Sequence, residues 1–187
     1  MILDQQGVLS PVTFHASPNC DSRPEAAAIE LLVIHSISLP LGQFGGEAIV
    51  DLFLNRLNPN AHPYYLTIAT LKVSAHFLIR RCGEIVQFVP CAQRAWHAGE
   101  SQWRGRTRCN DFAIGIELEG CDTLPFMDIQ YRRLGELSRL LYRHYPIIDS
   151  VGHADIAPLR KTDPGPHFDW PRFKRDLTVN TATDDQS

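Results

Sequence analysis

The sequence predicts a single α/β domain in which a mixed β-sheet is flanked by helices. Two stretches rich in apolar residues, Ile29–Ile34 and Asp111–Gly120, have the character of buried central strands. Between them, residues 71–90 alternate between apolar and polar positions and contain Gly83 in a turn, which predicts a hairpin. The amphipathic stretch Asp128–Tyr145 predicts a long helix packed on the sheet. This order of elements is typical of an α/β fold with a mixed sheet.

Length and composition support one globular domain. The chain has 187 residues, of which 44% are hydrophobic and 21% are charged, as in ordinary globular proteins. Its net charge of -3 gives no basis for binding nucleic acid or an anionic membrane surface. No stretch approaches the length of a membrane span. We therefore expect a monomer whose partners include neither nucleic acid nor membranes.

The N-terminus and the cysteines indicate a cytoplasmic setting. Met1–Gly7 lacks the basic start and the apolar run of a signal peptide. The cysteines are odd in number, scattered along the chain and without a C-x-x-C pair, which favours reduced thiols over a disulfide framework. These residues, which we expect to serve mainly in packing, are Cys20, Cys82, Cys91, Cys109 and Cys121.

The remaining elements follow from local signals. Residues 1–28 contain several prolines and are predicted to form an irregular arm, so that the core spans about 29–175. The spacing of apolar residues predicts a helix over about 47–57. A last helix is expected over Phe168–Leu177, with Asp169 as a candidate cap. The polar tail 178–187 is expected to fray.

The stretch from Gly152 to Pro166 carries the first candidate site. Three prolines and two glycines predict a stiff loop that neither a helix nor a strand crosses. His153 and Asp163 are zinc-type ligands that would meet if this loop folds back. A third ligand must come from elsewhere in the chain, and the alternative is a surface loop with an incidental histidine. His35, at the end of the predicted first strand, is either a core histidine or a functional one.

Five motifs together resemble a known family. They are the histidine after a central strand, Ser74-Ala75-His76, Trp96-His97-Ala98-Gly99, Gly115-Ile116-Glu117-Leu118-Glu119-Gly120 and the loop Lys161-Thr162-Asp163-Pro164-Gly165-Pro166. This combination resembles the AmpD-type 1,6-anhydro-N-acetylmuramyl-L-alanine amidases, which are type-2 N-acetylmuramoyl-L-alanine amidases. The resemblance covers about residues 29–175. It implies the fold that these amidases share with peptidoglycan recognition proteins.

The resemblance also implies a set of metal and catalytic residues. His35, His153 and Asp163 would bind one Zn²⁺ per chain. Glu117 would exchange protons with the substrate, whereas Glu119 lies on the same strand face as a second carboxylate. Lys161 would stabilise the oxyanion together with zinc.

A second set of implied residues concerns substrate and scaffold. Trp96, Arg108 and Lys72 would contact substrate, although the family commonly has Arg where Lys72 stands and Asn where Ser36 stands. His97 could donate or accept a hydrogen bond beside the ligands. His62 and His76 are expected to be structural.

The implied activity is hydrolysis of the lactyl–L-alanine amide of 1,6-anhydro-N-acetylmuramyl peptides during cytoplasmic peptidoglycan recycling, with a muropeptide as partner. One alternative is a peptidoglycan-fragment binding module without catalysis. Others are a zinc amidase that acts on intact peptidoglycan and a different zinc amidohydrolase or peptidase. The sequence contains no H-E-x-x-H, which counts against the common metalloprotease helix.

Overall fold

The computed structural model describes residues 1–178 and contains a six-stranded mixed sheet with helices packed against it. The strands are β1 (Ile2–Leu3), β2 (Leu9–Ser10), β3 (Thr13–Phe14), β4 (Cys20–Ser22), β5 (Leu31–Ile37), β6 (Phe77–Ile79), β7 (Ile85–Gln87), β8 (Gln93–Ala95), β9 (Gln102–Trp103), β10 (Arg106–Thr107), β11 (Ala113–Glu119) and β12 (Asp149–Gly152). The helices are α1 (Ala48–Phe53), α2 (Tyr65–Ile68), α3 (Asp128–His144), α4 (His153–Ile156) and α5 (Trp170–Thr178), with short 3-10 turns at Pro59–Ala61 and Cys109–Asp111. The predicted α/β class with a mixed sheet is confirmed.

The main sheet has the order β12-β5-β11-β6-β7-β3. Strands β12, β5, β11 and β6 run parallel, and β6 and β7 form the predicted antiparallel hairpin. Strand β5 lies between β12 and β11, so the first apolar run occupies the centre of the parallel part. The C-terminal ends of these strands lie at one edge, where side chains from distant parts of the sequence meet.

Alternation along the strands divides the core into two sides. Leu32, Ile34, Ile114 and Ile116 pack with α3 and α5 in one apolar cluster. The residues between them point to the opposite face, where Val33 and Ala113 are buried in another cluster. His35 and Glu117 continue that second series, so the strand register puts both on the face opposite α3.

Several boundaries differ from the sequence-based predictions. The arm 1–28 is not simply irregular, because β3 joins the main sheet beside β7 and β4 pairs with β8. Strand β5 runs on to Ile37, so His35 lies within the strand and not after it. Helix α1 ends at Phe53, four residues earlier than expected.

The loop 152–166 also contains a helical turn that was not predicted. Residues His153–Ile156 form α4 directly after β12, and the prolines that we expected to exclude a helix come only after this turn. The last helix begins at Trp170, and Asp169 Oδ1 accepts a hydrogen bond from the Arg172 N–H at 2.9 Å, as expected for its cap. The predicted frayed tail lies outside the described residues except for Thr178. No helix within residues 1–178 is long and apolar enough to cross a membrane.

Candidate active site

Strand pairing brings His35 and Glu117 side by side. In the parallel pair β5–β11, His35 is the direct partner of Glu117, so the two side chains leave the sheet on the same face. His35 is 1% exposed, and Glu117 is only partly buried because it opens onto a cleft. The sheet therefore supplies one imidazole and one carboxylate at fixed positions.

The loop after β12 supplies two more side chains of types that bind zinc. Strand β12 pairs with β5 and ends at Gly152, so His153 begins α4 next to the centre of the sheet. The Ala154 N–H donates to the Asp163 carbonyl at 2.9 Å, which folds the loop back on itself. A side chain at Gly152 would meet Pro164 Cδ at 2.8 Å, so the close return of the loop requires glycine there. His153 and Asp163 are thereby brought together, as the sequence predicted.

Three ligand atoms converge on one point. His35 Nδ1 lies 3.0 Å from His153 Nδ1 and 3.2 Å from Asp163 Oδ2, and His153 Nδ1 lies 3.1 Å from the same oxygen. Two ligands of a tetrahedral zinc ion are roughly 3.3 Å apart when each bond is about 2.0–2.1 Å long. Within residues 1–178 this is the group of histidine, cysteine and acidic side chains whose spacing suits a metal ion. Two nitrogens and one oxygen are also the donor set that zinc prefers, so the residues fit zinc.

The electrostatics of the cluster agree with a cation at its centre. Burial lowers the pKa of His35 to about 4, so its imidazole is neutral at pH 7 and has a lone pair to offer. Burial alone would raise the pKa of Asp163, but hydrogen bonds with His153 and His35 outweigh it and hold that pKa far below its ordinary value. The cluster thus includes a neutral imidazole at His35 and a carboxylate ion at Asp163.

The outward nitrogens of both imidazoles have partners. His35 Nε2 lies 2.9 Å from His97 Nδ1, and His153 Nε2 lies 3.1 Å from the Ala98 carbonyl oxygen. A carbonyl oxygen can only accept, so His153 carries its proton on Nε2 and keeps the Nδ1 lone pair for a metal. The predicted place of His97 beside the ligands agrees with this geometry.

Glu117 differs from its neighbours in having a free oxygen. Its buried Oε2 atom has no hydrogen-bond partner among the described residues. Burial raises the pKa of Glu117 well above its ordinary value, the negative charge of Asp163 raises it further, and the positive charge of Lys161 lowers it. A carboxyl group with a raised pKa at the wall of a cleft suits proton transfer near neutral pH.

Glu119, the second carboxylate of the strand, has different partners. It is 2% exposed, and its two oxygens accept hydrogen bonds from the backbone N–H groups of Gly45 at 2.5 Å and Arg81 at 2.9 Å. Both oxygens are therefore used in holding neighbouring loops. This agrees with the choice of Glu117 over Glu119 as the reactive carboxylate.

The cluster opens into a cleft of about 660 Å³. The ligands, Glu117 and Lys161 lie along it together with Trp96 and Ser36. One wall is largely apolar and comes from α1, from α2 and from the loops next to them. These wall residues are Leu39, Leu41, Phe53, Tyr64, Ile68, Leu71 and Val73. The cleft can therefore hold an extended ligand with both polar and apolar parts beside His35, His153 and Asp163.

Two predicted substrate contacts do not line this cleft. Lys72 is exposed between the wall residues Leu71 and Val73. Arg108 is exposed in a left-handed backbone conformation, with its Nε 3.0 Å from Asp111 Oδ2. Their roles in binding substrate stay predictions.

The structure adds residues that sequence reasoning did not select. Tyr64 lines the cleft, and the only local signal for it was an aromatic residue in a proline-rich turn. Arg160 reaches across to donate to the carbonyl oxygens of Ala98 at 2.8 Å and Glu100 at 2.7 Å. No spacing rule could pair Arg160 with a loop about sixty positions away.

His76 is buried and accepts from the Gly115 N–H through Nδ1, which agrees with the structural role expected for it.

Comparison with known proteins supports the family resemblance that the sequence motifs indicated. Residues 25–166 match the N-acetylmuramoyl-L-alanine amidase family. The chain is 55% identical over 183 residues to the 1,6-anhydro-N-acetylmuramyl-L-alanine amidase AmpD of Citrobacter freundii, covering 97% of each chain. The family resemblance read from the sequence is thus confirmed.

Solved structures agree with the fold. The crystal structure of a selenomethionine derivative of AmpD matches with a TM-score of 0.92 and 55% identity, over 95% of this chain and 99% of the other. The Escherichia coli amidase AmiD, in complex with the substrate anhydro-N-acetylmuramic acid-L-Ala-D-gamma-Glu-L-Lys, matches with a TM-score of 0.59 and 34% identity. That match covers 82% of this chain and 60% of AmiD.

Proposed function

Because the chain belongs to the N-acetylmuramoyl-L-alanine amidase family, we propose that it hydrolyses the lactyl–L-alanine amide of 1,6-anhydro-N-acetylmuramyl peptides in a zinc-dependent reaction. The observation that carries this proposal is the convergence of His35, His153 and Asp163 beside the unpaired oxygen of Glu117. A single zinc ion per chain would be held by the first three residues. When bound, zinc supplies a Lewis acid that polarises the amide carbonyl and lowers the pKa of water toward about 7.

Two side chains of the protein carry out proton transfer and charge stabilisation. Glu117 takes a proton from the attacking water as the water oxygen bonds to the carbonyl carbon. It then delivers that proton to the leaving nitrogen as the C–N bond breaks, which yields the lactyl carboxylic acid and the amino group of L-alanine. The acid then loses its remaining proton, and the amino group takes one up. The ammonium group of Lys161 stabilises the negative charge that develops on the carbonyl oxygen. Both side chains line the cleft beside the ligands.

The substrate proposal rests on the names of the relatives and on the shape of the cleft. AmpD of Citrobacter freundii is named for 1,6-anhydro-N-acetylmuramyl-L-alanine, and AmiD is bound to a related anhydro-muropeptide. The aromatic ring of Trp96 offers a platform for the sugar. We further propose that Lys72 and Arg108 meet carboxylates of the peptide stem outside the volume of the cleft itself.

The cysteines support a proposal about the cellular setting. All five cysteines have free thiols, which supports a reducing compartment such as the cytoplasm. We propose that the chain works there as a monomeric single amidase domain, with muropeptides from peptidoglycan recycling as its substrate.

Mass spectrometry of product mixtures tests this proposal. The purified protein is incubated in parallel with 1,6-anhydro-N-acetylmuramyl-tripeptide, the free tripeptide and intact peptidoglycan, with and without a chelator. We expect free tripeptide to appear from the anhydro-muropeptide only without chelator, and zinc to restore the reaction after chelation. Cleavage within the free tripeptide would indicate a peptidase, and an unchanged anhydro-muropeptide in the presence of zinc would contradict the proposed activity.

A further inference from the structure

The outward nitrogens of the two imidazole ligands are held by consecutive residues of one short segment. His97 contacts His35 Nε2 through its ring, and Ala98 contacts His153 Nε2 through its carbonyl oxygen. His35 and His153 are 118 positions apart and come from different elements. The orientation of both ligands therefore depends on the path of the backbone at residues 97–98.

One side chain fixes that path. The carboxamide oxygen of Asn110 accepts hydrogen bonds from the backbone N–H groups of His97 at 3.2 Å and Ala98 at 2.8 Å. Two successive N–H groups can point at one oxygen only when the backbone between them turns, so this pair of bonds defines the turn. The chain then continues through Gly99 in a left-handed conformation, with φ of 59°. The turn directs the His97 ring to one ligand and the Ala98 carbonyl to the other.

Asn110 is itself held rigidly. It lies in the 3-10 turn Cys109–Asp111, where the Cys109 N–H donates to Ser101 Oγ at 3.1 Å. The Asn110 carbonyl oxygen accepts from Arg23 Nη1 at 3.0 Å. Arg23 also donates to the carbonyl oxygens of Asp111 and Ala113, so the turn is joined to the start of β11. The side-chain oxygen of Asn110 therefore has a fixed position relative to the sheet that carries His35.

We infer that Asn110 is a positioning residue for the metal centre, and that it orients His35 and His153 together through the 97–98 backbone. The inference rests on the proposed function, since it assigns Asn110 a role toward the proposed zinc site. Groups that orient metal ligands contribute to metal affinity without touching the ion. Asn110 is placed to act on two of the three ligands at once.

Zinc affinity measured by competition with a chromophoric chelator tests the inference. Asn110→Ala removes the acceptor and is expected to weaken zinc binding about 10- to 100-fold. Asn110→Asp keeps an oxygen at the same position and is expected to restore most of the affinity. Visible spectra of the cobalt-substituted proteins provide a second measurement, in which the alanine variant alone should show altered coordination.

A matched control separates a positioning role from a general effect on folding. Asp4 Oδ1 also accepts from two backbone N–H groups, those of Gln6 at 2.9 Å and Val8 at 2.8 Å, but in an exposed turn of the arm. Asp4→Ala should leave zinc affinity and the cobalt spectrum unchanged. If Asn110→Ala does not fold, Asn110→Ser takes its place, because the shorter hydroxyl side chain does not reach both N–H groups.

The outcomes distinguish this inference from the proposed function. A folded Asn110→Ala protein with wild-type zinc affinity and cobalt spectrum would overturn the positioning role, even if the wild-type protein cleaves the anhydro-muropeptide. Weakened zinc binding in that variant, together with a wild-type protein that binds zinc but does not cleave this substrate, would support the positioning role and contradict the proposed substrate. A wild-type protein that binds no zinc would overturn both.

Discussion

At the scale of single residues, the same side chain has different chemistry according to its partners. Glu117 and Glu119 lie two positions apart on one strand and on the same face. Both oxygens of Glu119 accept backbone N–H groups, whereas Glu117 Oε2 has no hydrogen-bond partner within residues 1–178. Among the described residues that line the cleft, Glu117 is present and Glu119 is not. Glu117 is therefore the carboxylate that a molecule in the cleft can reach, whereas Glu119 holds backbone N–H groups.

Replacing Glu117 should separate turnover from metal binding. Glu117→Gln preserves the shape of the side chain but cannot accept and return a proton. We expect kcat to fall about 10²- to 10⁴-fold, the usual contribution of general acid–base catalysis, with zinc content unchanged. Steady-state kinetics and metal analysis of the same preparation measure both quantities. Activity close to the wild-type level in this variant would contradict the assignment of Glu117 as the proton-transfer group.

His76 should make stability depend on pH. Burial and, to a smaller extent, the charges of Arg23 and His35 lower its pKa to about 3 from the ordinary value of 6.5, although the Gln93 carbonyl opposes this shift. The unfolded chain binds a proton near pH 6.5, whereas the folded protein does not until about pH 3. The contribution of neutral His76 to stability is therefore complete above pH 6.5 and is lost progressively as the pH falls toward 3.

His76→Asn removes this titration while keeping an oxygen that can accept from the Gly115 N–H. Between pH 6.5 and 3, its free energy of unfolding should fall with decreasing pH less steeply than that of the wild type, by up to about 1.4 kcal/mol per pH unit. Denaturant unfolding of both proteins at several pH values, in the presence of chelator, measures the slopes. Equal slopes would show that His76 takes up its proton in the folded state as readily as in the unfolded one.

At the scale of elements, Glu119 joins the sheet to a wall of the cleft. The segment between β5 and α1 contributes Leu39 and Leu41 to the cleft, and Gly45 of the same segment donates to Glu119 at the end of β11. Arg80 donates from the hairpin to the Gly46 carbonyl oxygen at 2.7 Å. The segment that carries this wall is thus attached to β11 and to the hairpin.

Removing that attachment should affect substrate binding more than chemistry. Glu119→Ala leaves two backbone N–H groups without their charged acceptor, so the free energy of unfolding should fall by about 1–3 kcal/mol. KM should rise, while kcat changes far less than in Glu117→Gln. Glu47→Ala is a matched control, because that carboxylate belongs to the same segment but is 65% exposed and pairs only with Arg80 among the contacts described. A larger loss of kcat than of KM in Glu119→Ala would contradict this separation.

The elements that sequence reasoning predicted well are those with strong internal periodicity. Helix α3 was expected over 128–145 and spans Asp128–His144, and β11 was expected over 111–120 and spans Ala113–Glu119. The strands of the N-terminal arm are two or three residues long, and two of them, β3 and β4, pair with the distant strands β7 and β8. No local pattern encodes such pairing, since it depends on tertiary contacts.

In the candidate site, too, residue identities were predictable from the sequence, whereas contacts between segments were not. The residue types and the family motifs selected His35, His153, Asp163 and Glu117 as candidates, but the meeting of His35 with His153 depends on β12 pairing beside β5. The contacts of Asn110 and Arg160 were not predictable, because each joins a side chain to backbone groups of a distant segment. Such contacts follow from the three-dimensional path of the loops and leave no spacing signal in the sequence.

At the scale of the whole molecule, strand order explains why the site exists where it does. The central strand β5 carries His35, its neighbour β11 carries Glu117, and its other neighbour β12 leads directly into His153. Parallel strands end at the same edge of the sheet, so three segments far apart in sequence deliver their polar side chains to one place. The loop that returns with Lys161 and Asp163 then completes the cluster.

The central claim is that this cluster binds the one zinc ion on which hydrolysis depends, and titration of the metal-free protein with zinc tests it most directly. Amidase activity toward 1,6-anhydro-N-acetylmuramyl-tripeptide is followed as zinc is added, with Asp163→Ala as the variant that lacks a ligand. The account predicts that activity rises linearly and saturates at one zinc per chain, and that Asp163→Ala neither retains zinc nor gains activity over the same range. Full activity in the metal-free protein, or zinc binding by Asp163→Ala equal to that of the wild type, would contradict it.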